Sequence, residues 1–289
     1  MNKRYFYDNG LPFSDKLSDN LKDLKYRVDT LRKASLIVID GGVGEGKTTL
    51  AVHVAEFLES EEIIFSKQLG LGGIDFAKKL KECHDLEKIA IIYDEAGDFN
   101  RRGALTRFNA MLNRIFETFR AFKIIVILCL PSFHVLDEQL LDKQIPRLLL
   151  HCHNKNTRYG SFKAYSLYRM FYVKDKMKKM IVKPFAYKYT EPNFIGHFLD
   201  LTPERSLELD KYSTKGKLDI LDNAEVKFDG LLAYSEIAER LNRSIIWVKK
   251  TVLKLKISHK TIVKKVKYFN PDVLNILHDE MDNIRIKND

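Results

Sequence analysis

The segment that most restricts this chain is Gly41-Gly-Val-Gly-Glu-Gly46-Lys47-Thr48. It fits the spacing G-x-x-x-x-G-K-[ST], which a chain of 289 residues would show by chance roughly 1% of the time. The apolar run Leu36-Ile-Val-Ile39 leads straight into it, and an amphipathic stretch from Lys47 to Leu58 leads out. A strand, a glycine turn and a helix in immediate succession are what a phosphate cradle requires. Four glycines let the backbone wrap closely, with several N–H groups pointing inward. The helix N-terminus adds its partial positive charge. The contacting residues are then Gly41, Gly42, Val43, Gly44, Glu45, Gly46, Lys47, Thr48 and Thr49.

Two further segments complete this chemistry. Lys47 supplies a point charge to the β- and γ-phosphates of a nucleotide, and the Thr48 hydroxyl is placed to coordinate Mg²⁺. Ile89-Ala-Ile-Ile-Tyr-Asp94-Glu95 is an apolar strand ending in an acidic pair, the pattern of a Walker B element. Asp94 would hold Mg²⁺ directly or through water, and Glu95 is placed to act as the base toward the attacking water. A third apolar run, Ile124–Leu130, is followed by Ser132. Ser132 is the first candidate for a polar sensor of the γ-phosphate, and Cys129 the second. The expected ligands are therefore ATP and Mg²⁺.

The remaining pattern points to an α/β fold with a parallel sheet. Strand-like runs occur at Leu36–Ile39, Ile63–Phe65, Ile89–Tyr93, Ile124–Leu128 and Leu148–His151, with helical stretches at Lys47–Leu58, Ile74–Cys83 and Leu105–Arg120. Continuous apolar runs suit strands buried on both faces, and their alternation with helices indicates parallel order. A β-hairpin is expected at 161–173. Residues 15–33 read as an amphipathic helix with Leu17, Leu21, Leu24, Val28 and Leu31 on one stripe. The domains expected are an N-terminal helix (1–35), the nucleotide-binding core (36–175), a proline-interrupted linker or arm (176–225) and a C-terminal module (226–289).

Composition removes other classes. With 45% hydrophobic residues the chain buries a real core. No run approaches the roughly 20 apolar residues of a membrane-spanning helix, and residues 1–10 lack the apolar stretch expected of a secretory signal. Three separated cysteines, Cys83, Cys129 and Cys152, give neither a disulfide framework nor a zinc knuckle, so the compartment expected is cytoplasmic and reducing. His151-Cys152-His153 looks like a metal cluster, but neighbours on a strand point to opposite faces.

These motifs together resemble P-loop ATPases of the additional-strand, catalytic-glutamate division. Within it the chain is similar to the FtsK–HerA family of DNA-pumping motors, which includes zonular-occludens-toxin-like phage proteins and viral genome-packaging ATPases. The resemblance covers about residues 36–173. It is carried by Asp94-Glu95-Ala96 with Arg101-Arg102, and by Gln144-Ile-Pro-Arg147-Leu-Leu-Leu150 with Thr157-Arg158. Cys129 stands where the family usually has Gln, a departure that puts the sensor residue in question. The resemblance implies a homo-oligomer with ATP sites between subunits and an arginine reaching across. Arg158 is the first candidate for it, then Arg147 and Arg120.

The C-terminal module carries a different signal. In 230–257, Ser235 is expected to cap one helix and Ser244 a second, with a short Asn242-Arg243 turn between them. Residues 258–268 would form a wing and about 271–282 a last helix, resembling winged-helix DNA-binding domains. Ile246, Trp247, Lys250, Thr251 and Lys254 are expected on the exposed side of the second helix. The chain holds 49 Lys+Arg against 39 Asp+Glu, a net charge of +10. Ten of those basic residues lie between Arg240 and Lys267, a stretch without Asp or Glu, so the rest of the chain is formally neutral. The DNA contacts expected are Arg243, Ser244, Trp247, Lys249, Lys250, Lys254, Lys260, Lys264 and Lys265.

Two functions fit: a DNA-translocating or packaging ATPase acting on duplex DNA, and a nucleotide-gated DNA-binding regulator or replication initiator. The strand-rich stretch after the core, where AAA+ initiators have a helical lid, favours the first. A nucleotide switch without DNA would leave the basic module unexplained.

Overall fold

A computed structural model describes residues 10–31, 35–94, 110, 113, 123–153, 159–224, 232–259, 261–263, 266–270 and 272–286. The chain divides into two compact units, residues 1–217 and 218–289.

The first unit is built on a seven-stranded sheet. Its strands are β1 (Ser35–Asp40), β2 (Leu69–Leu71), β3 (Ala90–Asp94), β4 (Ile125–Leu130), β5 (Pro146–His153), β6 (Tyr159–Ser166) and β7 (Phe194–Leu199), in the order β2-β3-β4-β1-β5-β6-β7. The neighbours from β2 through β5 are parallel, and β6 and β7 add antiparallel to that edge. The fold is thus α/β with a mostly parallel sheet. β4 lies between β1 and β3, so the strand carrying the glycine loop and the strand ending in Asp94 are separated by one additional strand.

Both faces of the parallel strands are covered, which is why they read as unbroken apolar runs. On one face Leu36, Val38, Ile91, Tyr93, Val126 and Leu128 pack with Phe76 and Leu80 of α4 (Gly73–Asp85), Leu140 and Leu141 of the short α5 (Glu138–Asp142), and Met170, Val173 and Met177 of α6 (Leu167–Lys179). The alternate residues Ile37, Ile39, Ile92 and Ile127 are also fully buried. α2 (Lys47–Glu59) packs on β1, β3 and β4, and α1 (Asp15–Leu31) packs on α2. Leu17, Leu21, Leu24 and Val28 form the buried stripe of α1; Leu31, its last residue, is exposed.

Several expectations are corrected. Ile63–Phe65 is not a strand. Phe65–Gln68 is a single helical turn, α3, and β2 begins only at Leu69. The sequence hid β2 because its central residue is glycine: a Cβ at Gly70 would lie 2.7 Å from the Phe76 Cα. The expected hairpin at 161–173 is β6 followed by α6. Met170, Val173, Lys174 and Met177 share a buried helical face that a period-2 reading missed.

The expected linker at 176–225 is mostly ordered and belongs largely to the first unit. It holds the end of α6, a 3₁₀ segment at Lys183–Lys188, β7, and the 22-residue helix α7 (Pro203–Ala224). Its prolines break nothing: Pro184 opens the 3₁₀ segment, Pro192 precedes β7, and Pro203 is the first residue of α7. Arg205 ties α7 down, reaching Glu56 of α2, the Ile63 carbonyl at 3.0 Å and the face of Phe65 at 4.2 Å. The sheet therefore runs well past residue 175.

In the second unit, β8 (Leu232–Ala233), α8 (Tyr234–Arg240), α9 (Ile245–Lys254), β9 (Thr261–Val263), β10 (Val266–Phe269) and α10 (Val273–Ile286) surround one small core. Ile237, Leu241, Val248, Val252, Phe269 and Leu277 form it. The strands pair antiparallel in the order β8-β10-β9. α8 is not capped by Ser235; the Glu236 carboxylate reaches back to the Ala233 N–H at 2.7 Å. α9 is capped by Ser244, whose hydroxyl accepts from the Trp247 N–H at 3.2 Å. Asn242, at φ 49°, makes the turn between the two helices.

Of the expected helix Leu105–Arg120, Ala110 and Asn113 are described, and both are helical. Among the described residues no helix is long and apolar enough to cross a membrane.

Candidate nucleotide site

In a parallel sheet, ligands bind beyond the carboxyl ends of the strands. The glycine loop leaves β1 at that edge, and Asp94 ends β3 at the same edge. Three loop glycines have positive φ: Gly41 (149°), Gly44 (80°) and Gly46 (81°). Gly41 has no alternative, because a Cβ there would lie 2.6 Å from the Cys152 carbonyl oxygen of β5. Gly46 is the N-cap of α2, so the helix N-terminus opens directly onto the loop.

The structure brings the two acid-and-hydroxyl elements together. Thr48 Oγ1 donates to Asp94 Oδ2 at 2.9 Å across the additional strand. The Lys47 ammonium lies over the loop and donates to the carbonyls of Gly41 (2.9 Å) and Gly42 (2.8 Å). A hydroxyl and a carboxylate in contact beside a glycine cradle form the oxygen-donor set a hard cation takes. Thr48 and Asp94 therefore fit Mg²⁺, and Lys47 is within reach of any phosphate the loop holds. Among the described residues no cluster of three or more His, Cys, Asp or Glu side chains forms a separate metal site.

The β4 end carries both sensor candidates. Cys129 is buried beside the loop, its thiol 3.9 Å from the Lys47 carbonyl. Burial first, then the Asp94 charge, raises its pKa well above the usual thiol value, so it stays a neutral S–H. Ser132 lies beyond the strand, and its hydroxyl accepts from the His134 N–H at 3.3 Å as the cap of the turn Phe133–Val135. That bond uses the Ser132 oxygen as acceptor only.

Arg147 lies at the opposite edge. It sits at the start of β5, where the register with β1 shifts, and so at the far end of the sheet from the loop. Burial and the charge of Arg27 on α1 lower its pKa. Within this chain it does not approach the phosphate loop. Glu95, Arg120 and Arg158 lie outside the described residues; so do Arg101, Arg102, Lys260, Lys264 and Lys265.

Sequence reasoning missed Asp40, the last residue of β1. It is 1% exposed, and its carboxylate meets three partners. Oδ2 accepts from the Phe133 N–H (2.8 Å) and the Tyr187 hydroxyl (2.6 Å), and Oδ1 lies 2.9 Å from His151 Nδ1. The His151 and Tyr187 rings stack with centroids 3.6 Å apart. The only sequence signal was a polar residue closing an otherwise apolar strand.

In the second unit, the Arg243 guanidinium lies 5.7 Å over Trp247, and Lys249 lies 5.8 Å over the Tyr234 ring. Arg243, Ser244, Lys249 and Lys250 are exposed and Trp247 is half-buried. Lys254 is exposed but pairs with Glu280 of α10 at 2.7 Å, which offsets part of its charge. Thr251 is not on the exposed face; it is buried and donates to the Trp247 carbonyl at 2.9 Å.

Strand order, glycine loop and the Thr48–Asp94 contact define the class: an α/β protein with the P-loop fold. No protein-family model and no curated protein matches the chain. Among solved structures it is similar to the VirB11 ATPase of the Brucella suis type IV secretion system (18% identity, 48% of this chain and 50% of that one, TM-score 0.25). It is also similar to a KaiC-like protein of Pyrococcus horikoshii (14%, 46% and 77%, TM-score 0.25). The flagellar accessory protein FlaH of Methanocaldococcus jannaschii is a third (17%, 46% and 77%, TM-score 0.24). The chain spans about half the length of the first of these. At such scores the likenesses carry no argument, and the class rests on the motif and the strand order.

Proposed function

We propose that the chain is an ATP-hydrolysing, DNA-binding motor that translocates or packages duplex DNA. The observation that carries the ATPase half is the contact of Thr48 with Asp94 beside the glycine loop. In this reading the loop N–H groups and Lys47 bind phosphate, and Thr48 and Asp94 hold Mg²⁺. Glu95 takes the proton of the attacking water. Bound Mg²⁺ would neutralise charge on the phosphate oxygens. Arg158 of a neighbouring copy would stabilise charge on the transferring group, in a homo-oligomer with sites between subunits.

The DNA half is supported by the charge confined to residues 240–267 and by the second unit's element order. Two helices joined by a turn, then two antiparallel strands and a helix, fit a winged-helix reading. Its second helix would enter the major groove, with Arg243, Lys249 and Lys250 on phosphates. After β5 the chain continues into antiparallel β6, not a helical lid, which favours a motor over an AAA+ initiator.

The test is the ATPase rate with and without duplex DNA, alongside the oligomer mass with ATP. Stimulation by DNA in an oligomer is expected; a rate indifferent to DNA of any length counts against the motor.

A further inference from the structure

We infer that Asp40 is a positioning residue for the phosphate loop, acting through His151, Tyr187 and the turn after β4; this rests on the nucleotide-binding reading above. Asp40 immediately precedes Gly41, so any shift of its backbone moves the first two loop residues. Those residues supply the carbonyls on which Lys47 rests. The carboxylate joins four parts of the fold at one point: the end of β1, the end of β5 through His151, the turn at Phe133, and the 3₁₀ segment through Tyr187.

A second contact clamps the same place. Gly41 packs against the Cys152 carbonyl so closely that no side chain fits, and Asp40 pairs in register with His151, the residue before Cys152. The loop base is therefore held to β5 on both its polar and its steric side. The turn at 133–136 is gripped independently from α6, where the Lys174 ammonium donates to the His134 carbonyl at 2.6 Å and to the Leu136 carbonyl. Lys174 thus keeps the Phe133 N–H where Asp40 meets it.

A buried carboxylate with this many donors is more than packing requires. An apolar residue of similar volume would fill the space, but it would orphan the Phe133 N–H and the Tyr187 hydroxyl. The assembly fixes the angle at which the chain leaves β1, and with it the direction of the loop N–H groups. Asp40 does not touch the phosphates. Its effect should fall on nucleotide affinity more than on the chemical step, since a misdirected cradle weakens ground-state binding first.

The experiment measures ATP dissociation constants, KM and kcat for the full chain and three variants. Tyr187→Phe removes one donor to Asp40 and keeps the ring stack. Asp40→Asn keeps the shape and removes the charge. Tyr165→Phe is the control: its ring is buried in the same core and lies beside Tyr187, but its hydroxyl bonds the Thr190 carbonyl. Tyr187→Phe and Asp40→Asn should each raise KM and Kd for ATP about tenfold, with kcat within about threefold, because hydrogen bonds to a charged group are among the stronger ones. Tyr165→Phe should change KM less than about twofold. Equal KM effects in Tyr187→Phe and Tyr165→Phe would overturn the proposal, since core softening would then suffice. So would unchanged affinity in both Asp40→Asn and Tyr187→Phe. A wild-type chain that binds no nucleotide would overturn the nucleotide reading itself, and this proposal with it.

Discussion

The two flanks of the phosphate loop use the same residue type in opposite ways. On one side Asp94 ends β3, is part-exposed, and meets the Thr48 hydroxyl across β4. On the other, Asp40 ends β1, is buried, and meets a backbone N–H, a phenol and an imidazole. Both carboxylates stand at the carboxyl end of a parallel strand, so topology does not separate them. Surroundings do. Asp94 faces a hydroxyl and retains access, which suits a cation that must come and go. Asp40 is enclosed by fixed donors, which suits a part that must not move.

That contrast can be broken by substitution. The largest effect is expected from Lys47→Ala, which removes the charge both flanks frame. ATP turnover should fall by about a thousandfold or to background, and a rate within tenfold of wild type would contradict the loop's role. Next is Glu95→Gln: steady-state hydrolysis should drop at least about a hundredfold while ATP still binds. Normal hydrolysis would mean that another group is the base.

The flanks themselves are compared by pairing activity with melting temperature. Asp94→Asn should lower Mg²⁺-dependent turnover by about a hundredfold yet leave the melting temperature within about 3 °C. Asp40→Ala orphans buried donors and should lower the melting temperature by about 10 °C, from a loss of roughly 3–5 kcal/mol. Equal melting shifts would erase the distinction. The smallest effect on the nucleotide site is expected from deleting 226–289. ATP affinity should stay within about twofold while duplex DNA affinity falls at least about tenfold at low salt. Unchanged DNA binding would refute the assignment of the basic module.

What could be read from the sequence followed the same division. The places of Lys47, Thr48 and Asp94 at the strand ends were legible because the motifs that hold them have fixed spacing and a strand beside each. Asp40 was not, since its partners His151 and Tyr187 lie far along the chain and no local pattern joins them. Apolar runs gave the buried parallel strands, whereas β2 was hidden by Gly70. β7 and α7 were hidden by prolines that mark turns and helix starts as readily as linkers. Lys254 looked like a free charge because Glu280 is distant in sequence.

The mixed direction of the sheet has a consequence for how the chain assembles. β5 and β6 are joined directly, so their antiparallel pairing closes only a short loop, whereas α6 and the 3₁₀ segment lie between β6 and β7. β1 instead lies between β4 and β5, partners that follow it only after about half of the unit, and Asp40 bonds Tyr187 across a longer stretch still. Contacts of high sequence separation form late. The β5–β6 pair should therefore gain protection first in pulsed hydrogen exchange during refolding, and β1 last. If β1 amides are protected as early as those of β6, that order is wrong. On this ordering the phosphate loop takes its shape only in the closing step of folding, so a partly folded chain would hold a sheet edge but no nucleotide.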